Sequence, residues 1–125
     1  MTLSILEEVK NAKTIVPSIS AEDAQSLWGK PGVMFLDVRD GDEIVHTGKV
    51  ANAINVSRGM LEFKADKNAP LYDKQFDDAG TIIVYCASGA RSALSCKTLI
   101  DMGYADVRNL GTLNDWMEID GALDR

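Results

Sequence analysis

Short apolar runs alternate with helix-like segments along this chain. Ile15-Val16-Pro17-Ser18-Ile19 reads as a first short strand, and Pro17 places it at a sheet edge or strand start. Ser20 is an N-cap with Asp23 three residues on, so a helix is expected over Ala21–Trp28, burying Ala24, Leu27 and Trp28 and closed by Gly29. Val33–Val38 reads as a central strand, apolar on both faces and ending at Asp37-Val38-Arg39. A short helix over Asp40–Val45, a brief strand over Ala53–Val56 and a helical turn over Ser57–Lys64 follow. Asp66–Asp78 is polar and irregular, and Thr81–Tyr85 is the strongest strand. The helix Arg91–Met102 presents Ala93, Cys96, Leu99 and Ile100 and ends at Gly103. Val107–Leu110 gives a last strand and Leu113–Ile119 a last helix.

Strands alternating with helices predict an α/β domain with a mainly parallel sheet. The 125 residues suit one domain over 1–125, with residues 1–13 as an amphipathic N-terminal helix or extension. Apolar residues make up 46% and charged residues 26% of the chain. No apolar run is long enough for a membrane span, and no secretory signal opens the chain, so a cytoplasmic protein without a membrane partner is expected. The net charge of −6, with no Lys/Arg run, excludes nucleic acid as an expected partner. Two cysteines make no disulfide framework. With one histidine they also fall short of a closed zinc set, so no metal is expected.

The chemistry concentrates where the strongest strand ends. There Cys86 is followed by four small residues, Ala87, Ser88, Gly89 and Ala90, then by Arg91, Ser92 and a helix. Ligands of open α/β sheets bind at the carboxyl ends of strands. Backbone N–H groups from Ala87 to Ser92 are expected to line a concave, anion-binding nest. The helix N-terminus adds partial positive charge, and Arg91 adds a full charge on a planar fork. Such a setting favours anionic sulfur, and the thiolate is the nucleophilic form of cysteine. Cys96 reads as core packing on the apolar helix face, His46 as a surface residue, Trp116 as core or pocket rim, and Glu62 and Asp66 as a solvated face.

These residues resemble the rhodanese superfamily. Cys86-Ala-Ser-Gly-Ala-Arg91 is similar to its six-residue active loop, and Phe35-Leu36-Asp37-Val38-Arg39 to its first motif, a strand ending in Asp-Val-Arg. Gly48 through Val56 resembles the family's G-H-I-x-G-A-x-N-I segment. Gly103-Tyr104 through Leu110-Gly111 and Trp116 resembles its closing G-Y-x-x-V-x-x-L-x-G-G-x-x-x-W motif. Three positions depart from the pattern: Lys49 for the usual His, Asn52 for a Gly, and Thr112 for the second Gly of the closing pair.

The resemblance implies a three-layer domain, with an about five-stranded, mainly parallel sheet and helices on both faces. It implies a sulfurtransferase in which Cys86 takes sulfane sulfur from a small donor such as thiosulfate. A Cys86 persulfide would carry it to a thiophilic acceptor such as cyanide or to a sulfur-relay protein. No cofactor is implied beyond that covalent intermediate. Asp37, Arg39 and Arg58 would support the site, the arginines by lending positive potential or bracing the loop with Asp37 as a structural partner; a structural ion-pair network is the alternative for all three. Two other functions fit the same scaffold. One is a non-catalytic or regulatory binding module, which loss of the cysteine would mark. The other is a phosphatase or arsenate reductase, whose relatives carry a loop one residue longer. Four residues between Cys86 and Arg91 favour sulfur.

Overall fold

Side chains of successive strand residues point to opposite faces, and the central strands sort their apolar residues accordingly. In the computed structural model, which describes residues 2–125, β1 (Val33–Asp37) and β4 (Thr81–Cys86) run parallel and side by side. Met34, Leu36, Ile82, Val84 and Cys86 enter one core, whereas Phe35, Ile83 and Tyr85 enter the other. Both faces of these strands are therefore apolar, which is why they read as continuous hydrophobic runs.

Helices cover the two faces. α1 (Ile5–Ile15), α4 (Leu61–Ala65) and α5 (Ala90–Asp101) close the first core, to which α5 brings Cys96 and Leu99. α2 (Ala21–Leu27) and α6 (Leu113–Glu118) close the second, through Ala24, Leu113 and Trp116. β3 (Ile54–Asn55) and β5 (Val107–Thr112) complete a parallel sheet of order β3-β1-β4-β5. Ser20 caps α2, its hydroxyl oxygen accepting from the Asp23 N–H at 3.1 Å. Gly103, at φ 104°, follows the end of α5 as the pattern predicts. Among the described residues no helix is long and apolar enough to cross a membrane.

The main sheet has four strands rather than about five. The expected strand over Ile15–Ile19 shrinks to a single parallel bridge between Ser18 and Asn109, flanked by Asn109 N–H to Pro17 O and Ile19 N–H to Asn109 O. α1 extends to Ile15, and Pro17 has no N–H to donate, so too little chain remains for a ladder. Met1, part of the expected N-terminal helix, lies outside the described residues.

A second sheet was not foreseen. β2 (Lys49–Val50) pairs antiparallel with β6 (Leu123–Asp124), two residues on each side. α3 (Gly41–Thr47) lies between β1 and β2 and runs two residues further than its expected end at Val45. The irregular polar stretch contains a 3-10 turn at Lys74–Asp78 that buries Phe76. Each departure from the family pattern has a structural role here. Asn52 takes the left-handed conformation, φ 66°. The Lys49 ammonium donates to Ala53 O at 2.7 Å. Thr112 ends β5 and caps α6, its hydroxyl accepting from the Asp115 N–H.

Candidate active site

β4 delivers Cys86 to the carboxyl edge of the sheet. Its side chain falls on the face that α5 covers, so the sulfur meets the start of that helix. The Gly89 N–H donates to Cys86 Sγ at 3.1 Å and the Ser92 N–H at 3.3 Å. These are the two amides of the expected Ala87–Ser92 nest that reach the sulfur. Gly89 achieves this at φ 95°, a left-handed conformation that a residue without Cβ adopts freely. The first N–H groups of an α-helix have no partner within it, so Ala90 and Arg91 add partial positive charge at the same place.

The Ser92 hydroxyl ties the loop down by donating to Gly89 O at 3.1 Å and to Gly111 O, on β5, at 3.4 Å. Ala87 and Ser88 are exposed at the loop tip, and Cys86 itself has no solvent exposure.

Arg91 does not stand free over the sulfur. Its two terminal nitrogens grip Glu43 of α3, Nη1 donating to Oε2 at 2.7 Å and Nη2 to Oε1 at 2.8 Å. Glu43 Oε2 also accepts from the Asp40 N–H at 2.8 Å, the backward half of a capping box. Glu43 is the site residue that sequence reasoning missed. The D-x-x-E spacing at Asp40–Glu43 was a usable signal for a capped helix, but nothing in it pointed across 48 positions to Arg91.

The three supporting residues are not brought to the sulfur. Asp37 and Arg39 form a buried ion pair, with Arg39 Nη2 2.7 Å from Asp37 Oδ2. The guanidinium continues to Thr47 Oγ1 at 2.8 Å and Gly48 O at 2.9 Å, so it braces the end of α3 rather than the loop. Asn55 closes the same turn by donating to the carbonyls of Asp37 and Arg39. Arg58 donates to Glu62 and to Thr98 Oγ1, pinning its turn to the middle of α5, two helical turns beyond Arg91.

Cys96 lies one helical turn beyond Ser92 and is wholly buried. Burial pushes its thiol pKa up, with the nearby Cys86 adding to the rise. His46 is exposed, as expected. Trp116 is wholly buried, donates its indole N–H to Ala122 O at 2.9 Å, and belongs to the core.

A four-stranded parallel sheet with a cysteine at the mouth of an amide-lined loop is the architecture of the rhodanese class. The model of the rhodanese-like domain family matches residues 20–119, and the chain belongs to that family. It is 33% identical over 126 residues to the thiosulfate:glutathione sulfurtransferase of Saccharomyces cerevisiae, covering 90% of this chain and 85% of the relative. Among solved structures it resembles the polysulfide-sulfur transferase homodimer of Wolinella succinogenes, with a TM-score of 0.71 and 33% identity over 95% of this chain and 86% of the other. It also resembles a Rhodopseudomonas palustris protein of unknown function, described as a possible tyrosine phosphatase. There the TM-score is 0.90 and identity 31%, over 99% of this chain and 96% of the other.

Proposed function

We propose that this rhodanese-family sulfurtransferase carries sulfur on Cys86 as a persulfide. One observation carries the reading: Cys86 Sγ sits at the N-terminus of α5, with the Gly89 and Ser92 amides directed at it. Amides and a helix end suit a bound anion, so one cradle can hold the persulfide and the sulfur that receives it.

The Cys86 thiolate attacks the outer sulfur of a sulfane donor such as thiosulfate. The S–Sγ bond forms as the donor's S–S bond breaks, and sulfite leaves with the electron pair of that bond. An acceptor such as cyanide then attacks the terminal sulfur, leaves as thiocyanate and returns the thiolate. Two half-reactions through a covalent intermediate give ping-pong kinetics. The acceptor in the cell is a small thiophile or a sulfur-relay protein.

Intact mass after incubation with thiosulfate tests the reading. The wild type gains the mass of one sulfur atom, Cys86→Ala gains nothing, and Cys96→Ala gains as the wild type does. A wild-type protein that takes up no sulfur from thiosulfate, an organic thiosulfonate or a polysulfide overturns it.

The likeness to a possible tyrosine phosphatase favours a second reading, phosphoryl transfer at the same loop. Two features weigh against it. The loop has four residues between Cys86 and Arg91, one fewer than phosphatase relatives carry, and both terminal nitrogens of Arg91 are committed to Glu43. Release of p-nitrophenol from p-nitrophenyl phosphate, lost in Cys86→Ala, would establish the phosphatase in its place.

A further inference from the structure

We infer that Glu43 is a positioning and specificity residue, which withdraws the Arg91 charge from the anion cradle and thereby sets the sulfur donor's charge. The inference rests on the Cys86 persulfide reading and names the donor class that site takes. The geometry is specific. Nη1 and Nη2 of Arg91 both point at Glu43, one on each carboxylate oxygen. The carboxylate is itself fixed by the Asp40 N–H, so it cannot follow the guanidinium toward a substrate without uncapping α3. Arg91 holds the Glu43 carboxyl down to about 2, so the pair stays ionised across the working pH range.

With that pair intact, the Arg91 charge that acts on Cys86 is offset by the Glu43 carboxylate, and the donor meets chiefly backbone amides and a helix end. Such partial charges stabilise one negative charge at the sulfur well and a second one poorly. Between Cys86 and Ser92 the loop has no basic residue except Arg91. The sulfane donors this chemistry suits are therefore singly charged, such as organic persulfides and thiosulfonates, in preference to dianionic thiosulfate.

The test compares two donors of similar shape and different charge. Thiosulfate is a dianion. Methanethiosulfonate, in which a methyl replaces one oxygen, is a monoanion that transfers the same outer sulfur and releases methanesulfinate. In a ping-pong mechanism kcat/KM for the donor reports the first half-reaction alone, whatever the acceptor. Glu43→Gln keeps the cap, because Gln serves at the same helix position, and removes the charge that holds Arg91. The ratio of kcat/KM for thiosulfate to that for methanethiosulfonate is expected to rise about three- to fivefold, the scale of a half-exposed ion pair, mainly through KM for thiosulfate. Glu43→Asp keeps the charge but shortens the reach, and the ratio moves the same way by less. This second variant decides the matter if Glu43→Gln does not fold.

Asp42→Asn removes an exposed neighbouring charge without touching Arg91, and leaves the ratio within about twofold. An unchanged ratio in the Glu43 variants, an equal loss for both donors, or an equal shift in Asp42→Asn overturns the inference. Failure of the wild type to form any persulfide is a different result, and overturns the proposed function instead.

Discussion

The Gly89 N–H points at Cys86 Sγ from 3.1 Å, and it does so because Gly89 adopts φ 95°. A left-handed residue between a strand and a helix turns the chain back on the cysteine. Gly89→Ala would have to hold a Cβ in that conformation, at a cost of about 1–2 kcal/mol. A Cβ there would meet only Gly111 Cα, at 3.9 Å, so backbone strain and not a clash is the obstacle. The variant is expected to fold, with the loop relaxed away from the sulfur. Loss of a directed donor to reacting sulfur lowers turnover on the order of 10²-fold. Thiocyanate formation beside a thermal melt checks this; a folded variant with full activity would show that the amide is dispensable.

Arg39 and Asp37 make a second, quite different, demand on the fold. Both are buried, with relative exposures of 2% and 0%, and each supplies most of the other's polar partners. Arg39→Met leaves the Asp37 carboxylate without its counter-ion in the interior, and is expected to cost about 3–5 kcal/mol. Asp37→Leu added to it should recover only part of that loss, because Asp37 Oδ1 also accepts the Arg39 backbone N–H at 2.9 Å. Denaturant titration of the single and double variants measures both. Activity per folded molecule should fall little, since the pair braces α3 and Gly48 rather than Cys86.

The fold was legible where period and punctuation agree. Alternating two-sided apolar strands gave β1 and β4, and Ser20, Gly103 and the small residues after Cys86 marked helix ends correctly because capping is a local matter. The cysteine, loop and helix were legible for the same reason: they are consecutive. What escaped was long-range. β2 and β6 are two residues each and pair across more than 70 positions, too short for any periodic signal. Glu43 looked like any surface acid until α3 placed it against Arg91. Arg39 and Arg58 stand near the site in the sequence motifs, and only the fold shows that Arg39 is held by Asp37 and Arg58 by Glu62 and Thr98.

The Glu43–Arg91 pair also carries a pH signature. The Glu43 carboxyl has an ordinary value of 4.5 and is lowered to about 2 in the folded protein, chiefly by the Arg91 hydrogen bonds. A depressed acid stabilises the native state fully above its unfolded value, and that contribution disappears as pH falls through the folded value. The stability difference between wild type and Glu43→Gln should therefore be constant from neutrality down to about pH 4.5 and shrink between there and about pH 2. Melting temperatures of both proteins along that series supply the check. A difference that stays flat to the acid end would show that the pair contributes nothing to stability.

Cys96 of α5 shares the first core with Cys86, which ends β4. Its thiol is wholly buried in the first core, and burial raises its pKa. A native-state alkylating agent is expected to spare Cys96 at neutral pH. Cys96→Ser places a hydroxyl in an apolar site and should cost about 1–3 kcal/mol. Cys96→Ala loses only a small side chain's packing and should cost less. Peptide mapping after alkylation, together with denaturant melts, distinguishes the two; label on Cys96 in the folded protein would mean that the core opens there.

Trp116 depends on a glycine five residues away. The Gly121 backbone lies against the indole so closely that a Cβ at Gly121 would overlap Trp116 Cε2, Nε1 and Cδ2. The ring has nowhere to move: it is wholly buried, packs on Phe35 with ring centroids 5.2 Å apart, and is held by its N–H to Ala122 O. Gly121 N–H in turn donates to Trp116 O, so the turn after α6 folds around its own aromatic residue. Gly121→Ala is a small-to-large change in a packed interior, and should destabilise by about 1–3 kcal/mol. Trp116→Phe beside Gly121→Ala opens the space the indole occupied and should recover part of that loss, a coupling that a double-mutant cycle reads directly. The site lies on the opposite face of the sheet from Cys86, so both variants should keep persulfide formation while their melting temperatures fall. Additive losses in the cycle would mean that the clash is relieved by movement of the backbone after α6, not of the ring.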